Sequence, residues 1–204
     1  MWNEQIIMML LEGIKDTLYM TLTSTLIGYV IGLPMGILLT VTDKDGIHPN
    51  AAVYKVLDVI ANLIRSVPFL ILLIVLIPFT RFLIGRSYGP TATIVPLVIA
   101  AAPYIARMVE SSLKEVDAGV IEAARSMGAS NFTIVTKVML VEARTSLIVG
   151  ATISLGTILG YSAMAGTVGG GGLGDIAIRY GYTRWQTDIM IVTVILLVIL
   201  FQIF

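Results

Sequence analysis

Polar side chains able to do chemistry are rare in this chain, and three of them recur at helical spacing. Asp58, Asn62 and Arg65 are separated by four and three residues within an otherwise apolar stretch. That spacing places them on one face of a helix. Such a stripe either lines a water-filled path or supplies an ion pair that holds helices together. A simpler alternative, which suits Asp58 better than Arg65, is that both charges lie at the headgroups of an overlong membrane helix.

The residue types that mark enzymes do not combine into a site. Ser162 follows a glycine and a tyrosine, but a serine nucleophile needs a base within reach, and the single histidine, His48, lies in a separate polar loop. The run from Gly169 to Asp175 is rich in glycine, yet no Gly-Lys-Ser/Thr follows it, so it is not a phosphate-binding loop. We expect a flexible external turn there. Cysteine is absent, and we predict no catalytic residue and no metal or cofactor bound by this chain.

The composition places these residues in a membrane. Hydrophobic residues make up 57% of the 204 residues, charged residues only 13%, and the mean hydropathy is +0.94. Soluble domains carry about 25% charged residues, so the sequence predicts an all-α integral membrane protein. The formal net charge of zero gives nucleic acid no electrostatic reason to bind.

Five intervals are apolar enough to cross a bilayer, which takes about 20 helical residues. They cover roughly residues 17–41, 53–82, 91–109, 145–167 and 187–204. The second interval is overlong, and Pro68 within it predicts a kink because proline removes a backbone hydrogen bond. Ahead of the first interval, apolar residues at helical spacing predict an external segment, 1–16, that lies in the membrane interface with Trp2. Residues 17–204 then form one membrane domain.

Small residues at four-residue spacing mark faces where membrane helices meet. Gly28, Gly32 and Gly36 form one such row in the first interval, and Gly156 and Gly160 form another in the fourth. We interpret both rows mainly as packing contacts.

The distribution of lysine and arginine predicts the orientation in the membrane. Seven of these residues lie in the 42–57 loop and the 106–145 interval, against five in the 80–90 and 166–186 loops and at Lys15. We therefore predict an external N-terminus, a cytoplasmic C-terminus and a cytoplasmic location for residues 110–143.

The longest polar interval predicts a short cytoplasmic helix over about residues 117–128. Gly128 suits the left-handed conformation that ends a helix, and Ser130 suits the N-cap of a second helix over 131–141. Two adjacent alanines would let the first helix sit deep in a groove on a partner; an interfacial helix or a solvated connector is the alternative. The apolar positions that recur at helical spacing are Val116, Val120, Ala123 with Ala124, and Met127.

This segment resembles the EAA signature of bacterial ABC importer permeases. Glu122, the two alanines and Gly128 match it directly, while Val138 and Val141 stand where the family has isoleucine and proline. The resemblance implies a coupling helix, which inserts into a cleft of a separate ATP-hydrolysing subunit, and two such subunits on the cytoplasmic side of the importer. ATP and magnesium then belong to that partner, because this chain carries no nucleotide-binding motif. We assign contact with the ATPase to five residues: Glu122, Ala123, Ala124, Met127 and Gly128.

Longer runs resemble the permease subunits of methionine importers: Arg65–Phe69, Ala101–Glu110, Gly160–Gly166 and Val168–Gly174. The resemblance implies a type I importer permease fold in a bacterial plasma membrane, with an external binding protein that delivers methionine. Five spans enclose a solute path poorly, so we expect two copies to associate about a twofold axis. We assign five residues to the translocation path and its gate: Asn62, Arg65, Tyr161, Ser162 and Met164.

Ion-coupled transport, or a channel for a small solute, is the alternative function. It would need acidic residues buried in mid-span. Glu110 lies near the end of a span, so only the stripe with Asp58 and Arg65 is a candidate. A third possibility, hydrolysis at Ser162, lacks a neighbouring base.

Overall fold

The computed structural model describes residues 4–204, and every regular element within them is helical. The predicted all-α fold is therefore confirmed over this part of the chain. Two π-helical segments, Ile134–Met139 and Ala177–Tyr182, and one 3₁₀ turn, Gly166–Val168, join neighbouring α-helices. The α-helices are α1 Glu4–Thr42, α2 Ala51–Ser66, α3 Phe69–Val75, α4 Ile77–Ile84, α5 Pro90–Lys114, α6 Ala118–Ser126, α7 Asn131–Thr133, α8 Leu140–Glu142, α9 Arg144–Ala165, α10 Gly172–Ile176 and α11 Thr187–Ile203.

Three helical stretches are long and apolar enough to cross a membrane: α1, α5 and the run from Arg144 to Tyr182. Helices α2 and α3 together meet the same criterion as one broken span, and α11 is a shorter apolar helix. Its 17 residues extend about 26 Å, slightly less than the roughly 30 Å hydrocarbon core. The chain is thus a helical multi-pass membrane protein, and the count of five crossings stays a prediction.

The second predicted span is broken at Pro68. Helix α2 ends at Ser66, Pro68 is extended with φ −55° and ψ 134°, and α3 begins at the next residue. Proline cannot donate the backbone hydrogen bond that would continue a helix. Its carbonyl oxygen instead starts α3, because it accepts hydrogen bonds from the amides of Ile71 and Leu72 at 2.9 and 3.0 Å. The predicted kink is confirmed as a complete helix break.

The first helix is longer than the predicted span. Helix α1 continues for 39 residues, about 58 Å, so no break separates an N-terminal segment near residue 17. Thr17 lies inside the helix, where its hydroxyl donates to the carbonyl oxygen of Gly13 at 2.8 Å. Leu10 is buried in an apolar core, and this tertiary contact holds the N-terminal turns helical. Trp2 lies outside the described residues.

The chain forms two compact units, which we describe separately. The first contains the chain up to Leu26, Val67–Ala100 and Leu155–Phe204; the second contains Ile27–Ser66 and Ala101–Ser154. The first unit has a core of six buried aliphatic side chains: Leu10, Leu159, Leu173, Ile176, Ile189 and Leu200.

The glycine-rich run of the first unit is packed rather than open. A Cβ atom added at Gly174 would collide with the backbone of Ala163. The amide of Leu173 donates to the Thr17 hydroxyl at 2.9 Å, and the amide of Gly89 donates to the carbonyl of Gly169 at 2.9 Å. The prediction of a flexible turn is therefore wrong, because glycines here allow backbone segments to approach closely and bond.

In the second unit, the predicted glycine row is a helix contact. A Cβ atom added to Gly32 would lie 2.6 Å from the carbonyl oxygen of Ala102. One added to Gly36 would lie 2.5 Å from the carbonyl oxygen of Ala106. Absent side chains thus let α1 and α5 approach backbone to backbone, as small residues do in membrane helix pairs. The packing interpretation is confirmed for this row.

Candidate coupling helix and ion-pair network

Helix α6 falls within the interval predicted to be helical, and both of its ends are capped. At its start, the Asp117 carboxylate accepts a hydrogen bond from the amide two residues on, at 2.7 Å, and so pairs a free backbone donor. At its end, Gly128 has φ 81° and donates to the carbonyl of Arg125 at 2.9 Å, while Ala129 donates to Ala124 at 3.1 Å. These two bonds form a Schellman motif, which confirms the predicted glycine stop.

The residues predicted for partner contact are divided between two faces of α6. Ala124 is only 5% exposed, so its small side chain seats the helix against its own chain. Glu122 and Ala123 are exposed, and Met127 is 82% exposed. Phe132, in the following helix, is 77% exposed. Large apolar side chains exposed in one polar segment are typical of a surface that binds another protein.

The second predicted helix of this interval is confirmed, with one local change. The Ser130 side chain accepts a hydrogen bond from the amide of Thr133 at 3.2 Å, as expected of an N-cap. The helical path then continues through α7, a π-helical segment and α8 to Glu142. The π-helical turn itself had no sequence signal.

A loop between α1 and α2 lies against α6. The guanidinium of Arg125 donates to the carbonyl oxygen of Ile47 at 2.8 Å. A groove of about 490 Å³ adjoins this contact, and its lining includes Asp43, Lys114 and Glu122. The loop is therefore an additional support for the candidate coupling helix.

Beside this loop, five charged side chains form a continuous network. The guanidinium of Arg107 bonds to the carboxylate of Asp58 on α2 and to Glu110 on its own helix, the latter at 2.7 Å. The ammonium of Lys114 bonds to Glu110 at 2.8 Å and to Asp43 at 2.6 Å. Three carboxylates and two cations thus alternate along α5 between α2 and the end of α1.

Burial explains why these charges are paired. The Glu110 side chain is 7% exposed and that of Arg107 is 18% exposed, and an unpaired charge at such a position is strongly destabilising. Asp43 lies just beyond α1, and Lys114 donates a hydrogen bond to it. This bond holds the pKa of the Asp43 carboxyl below its ordinary value of 3.8.

The polar stripe of α2 is only partly united. Asn62 donates to Asp58 at 3.2 Å and accepts from Arg107 at 2.9 Å, so both residues belong to the network. Arg65 is exposed and forms no ion pair within residues 4–204. The ion-pair interpretation is confirmed for Asp58, whereas the role of Asn62 and Arg65 in a path stays a prediction.

The other predicted path residues belong to the first unit. The ring of Tyr161 stacks on Phe69 with centroids 4.5 Å apart and planes 6° apart. Ser162 is 1% exposed and donates to the carbonyl of Leu159 at 2.8 Å. Since that proton is held by a backbone carbonyl, the geometry does not activate a nucleophile. Met164 is 47% exposed.

Sequence reasoning did not single out Arg107, Glu110 and Lys114 as a site. Their spacing of three and four residues could have indicated a charged stripe on α5. No local signal in the sequence could have paired that stripe with Asp58, because Arg107 and Asp58 are 49 residues apart in the sequence.

The long apolar helices are those of a multi-pass membrane protein, and the short capped helix α6 presents exposed apolar and charged side chains that suit a protein partner. The chain belongs to the family of binding-protein-dependent transport system inner membrane components, whose family model matches residues 13–204. The prediction of an ABC importer permease is thus confirmed.

Within this family, the chain is similar to permease proteins of methionine transporters. The chain is 51% identical over 164 residues to the D-methionine transport system permease protein MetI of Salmonella typhimurium, covering 80% of this chain and 76% of the relative. The protein of the same name from Escherichia coli K12 is also 51% identical with the same coverage. A solved structure of the MetNI methionine ABC transporter in an inward-facing conformation contains a chain that is 49% identical, with a TM-score of 0.96 over 99% of this chain and 94% of that one.

Proposed function

We propose that this chain is the permease subunit of an importer for methionine, the D-enantiomer included. The proposal is supported by relatives whose names specify D-methionine transport and that are about half identical to this chain. Similarity at this level over 80% of the chain carries the substrate assignment; no single side chain does. Two copies form the path about a twofold axis.

Helix α6 is the coupling helix in this proposal. It carries the EAA residues, it is capped at both ends, and it presents Glu122, Ala123 and Met127 to solvent. These three side chains contact the ATPase subunit, which binds ATP and magnesium. Ala124 and Gly128 act differently: the first seats the helix, and the second ends it so that the chain can turn.

The orientation follows from the same assignment. With α6 in the cytoplasm, the N-terminus is external, the C-terminus is cytoplasmic and the chain crosses the membrane five times, with α2 and α3 as one broken crossing. An external binding protein then delivers methionine to the side that carries the glycine-rich run.

The path residues remain those selected from the sequence. Asn62 and Arg65 are exposed on α2, and Met164 is half-exposed on α9. Gly160 supports a subunit contact near this end of α9, because a Cβ atom there would meet nothing within 4 Å outside its own helix among the described residues. Tyr161 and Ser162 shape the same stretch from positions that are more deeply packed.

Reconstitution tests the proposal directly. The chain, its cognate ATPase and its binding protein are incorporated into liposomes, and uptake of labelled D- and L-methionine is measured with ATP on the ATPase side. We expect uptake that requires ATP and binding protein, for at least the D-enantiomer. Uptake that ignores nucleotide but stops when a proton gradient collapses would overturn the proposal in favour of ion-coupled transport.

A matched pair of charge reversals tests the coupling helix. Glu122→Lys changes an exposed side chain of α6, and Glu4→Lys makes the same change at the exposed start of α1. We expect only Glu122→Lys to weaken co-purification with the ATPase, by about tenfold. Equal recovery of the ATPase with both variants would contradict the contact assigned to Glu122.

A further inference from the structure

We propose that Arg107 is a positioning residue for transport: it fixes α2 to α5, so that a displacement of α6 reaches α2. The inference rests on the proposed function, since it needs an ATPase that moves α6. Arg107 itself touches neither the partner nor the substrate in this scheme.

The position of Arg107 suits that task. It lies seven residues before the end of α5, about 10 Å along the helix, and its side chain is 18% exposed. Its guanidinium bonds to Asp58 and Asn62 on α2 and to Glu110 on α5. A planar guanidinium can make several such bonds at once, which lysine cannot do in the same geometry.

The bonds continue from Arg107 toward α6. Glu110 accepts from Lys114, and Lys114 also bonds to Asp43 at the start of the loop between α1 and α2. The same loop offers the Ile47 carbonyl to Arg125 of α6. Charge-assisted bonds therefore join α6, the loop, α5 and α2 within the second unit.

Ionic bonds transmit displacement better here than apolar contact would. Apolar side chains in a bilayer have little driving force to stay together, since lipid tails are equally apolar. Separating Arg107 from Asp58 instead leaves the partly buried Asp58 carboxylate, whose side chain is 30% exposed, without its ionic partner. Helix α2 therefore follows α5 and the loop, and it carries Asn62 and Arg65 of the predicted path.

The test uses the reconstituted importer and measures ATP hydrolysed per methionine transported. Asp58→Asn removes one charge at nearly constant volume and leaves Arg107 paired with Glu110. Arg107→Gln removes the guanidinium, and the double variant completes a cycle. We expect each single variant to raise the ATP-to-substrate ratio roughly fivefold, and the double variant to be no worse than the more affected single.

Lys55→Gln is the matched control, because Lys55 is an exposed charge three residues from Asp58 on α2; its ratio should equal wild type. Arg107→Lys should recover only part of the coupling, since it restores the charge without the planar fork. A proportional fall of ATPase activity and uptake, with the ratio unchanged, would overturn the inference. So would additive effects in the double variant. A wild type without ATP-dependent uptake would instead refute the proposed function, so the two failures are distinguishable.

Discussion

The guanidinium of Arg125 donates to the carbonyl oxygen of Ile47 at 2.8 Å, across 78 residues of sequence. The bond joins the candidate coupling helix to the loop between α1 and α2. The loop is itself folded, because the amides of His48 and Asn50 donate to the carbonyls of Val41 and Thr42 at 3.0 and 2.9 Å. The bond therefore holds α6 and this loop together at one point.

Arg125→Gln should therefore loosen the loop. A typical hydrogen bond contributes about 1 kcal/mol net, and solvent exposure keeps the charge of this one from adding much more. Its loss corresponds to roughly fivefold faster local opening. We expect faster hydrogen exchange at the amides of His48 and Asn50. Lys137→Gln, which removes another exposed charge from the same interval, should leave exchange unchanged. Equal exchange in all three proteins would show that the Arg125 bond does not hold the loop.

Substitutions of Gly128 distinguish two reasons for a glycine at the end of α6, backbone strain and close contact with a partner. A Cβ atom added there would meet nothing within 4 Å beyond its chain neighbours in the part of the chain that the structure describes. Its φ is +81°, a conformation that costs most residues about 1–2 kcal/mol and asparagine less. If strain decides, Gly128→Ala should reduce substrate-stimulated ATPase activity of the complex and Gly128→Asn should largely retain it. If a tight partner cleft decides, Asn should impair activity at least as much as Ala, and Gly128→Asp should impair it as well.

Local chemistry explains why some of these features were predictable. The break at Pro68, the stop at Gly128 and the cap at Ser130 each depend on one residue and its neighbours. The glycine row was predictable because spacing alone defines a helix face. The packed glycine-rich run was not, since the amide of Leu173 finds its partner at Thr17, 156 residues away.

The ion-pair network marks the limit of sequence reasoning more sharply. Helical spacing identifies charges on one face of α5. Whether those charges form ion pairs depends on which face of α2 packs against them. From the sequence alone, Asp58 suits a position at the headgroups, because nothing local pairs it with a residue 49 positions away. For the same reason Asn62 and Arg65, neighbours on the predicted stripe, have different surroundings in the fold.

Asp43 predicts a dependence of stability on pH. Its pKa is lowered by the hydrogen bond from Lys114, so its contribution is present above its unfolded pKa of about 4 and is lost as pH falls through the folded pKa. Asp43→Asn should melt at a lower temperature than wild type at pH 7, and the difference should shrink below about pH 4. Melting in detergent from pH 7 to pH 3 measures this.

Asp45→Asn is the control for Asp43, because the Asp45 side chain is 82% exposed and its ion pair with Lys44 spans 3.8 Å. It should melt like wild type throughout. A difference between Asp43→Asn and wild type that persists unchanged to pH 3 would mean that the carboxylate charge is not the cause.

The glycine row predicts a graded cost of added methyl groups. Gly28→Ala would place its Cβ 3.0 Å from the terminal methyl of Ile105 and 3.1 Å from the Ala101 Cβ, whereas Gly36→Ala would place it 2.5 Å from the backbone carbonyl oxygen of Ala106. Overpacking against backbone costs about 1–3 kcal/mol, so Gly36→Ala should lower the melting temperature more than Gly28→Ala. Gly160→Ala should not destabilise the isolated subunit, because the described residues outside its own helix leave open space around the added methyl group. The reverse order would show that α1 and α5 do not pack through this row.

Tyr161 predicts that its ring and its hydroxyl have separable effects. The ring stacks on Phe69 at 4.5 Å, and Phe69 is 8% exposed at the first turn of α3. Tyr161→Phe keeps the stack and should change stability by less than about 0.5 kcal/mol. Tyr161→Ala removes it and should cost about 3 kcal/mol through the lost ring and the cavity left behind.

Uptake by the same two Tyr161 variants decides what the residue does in the predicted gate. If the stack positions the end of α9, Tyr161→Phe transports methionine at the wild-type rate, and Tyr161→Ala loses transport together with stability. If the hydroxyl contacts the solute, Tyr161→Phe melts normally but transports poorly. In the second outcome, transport is lost while stability is kept. That result would assign Tyr161 to the surface of the path, in contact with the solute, and not only to packing.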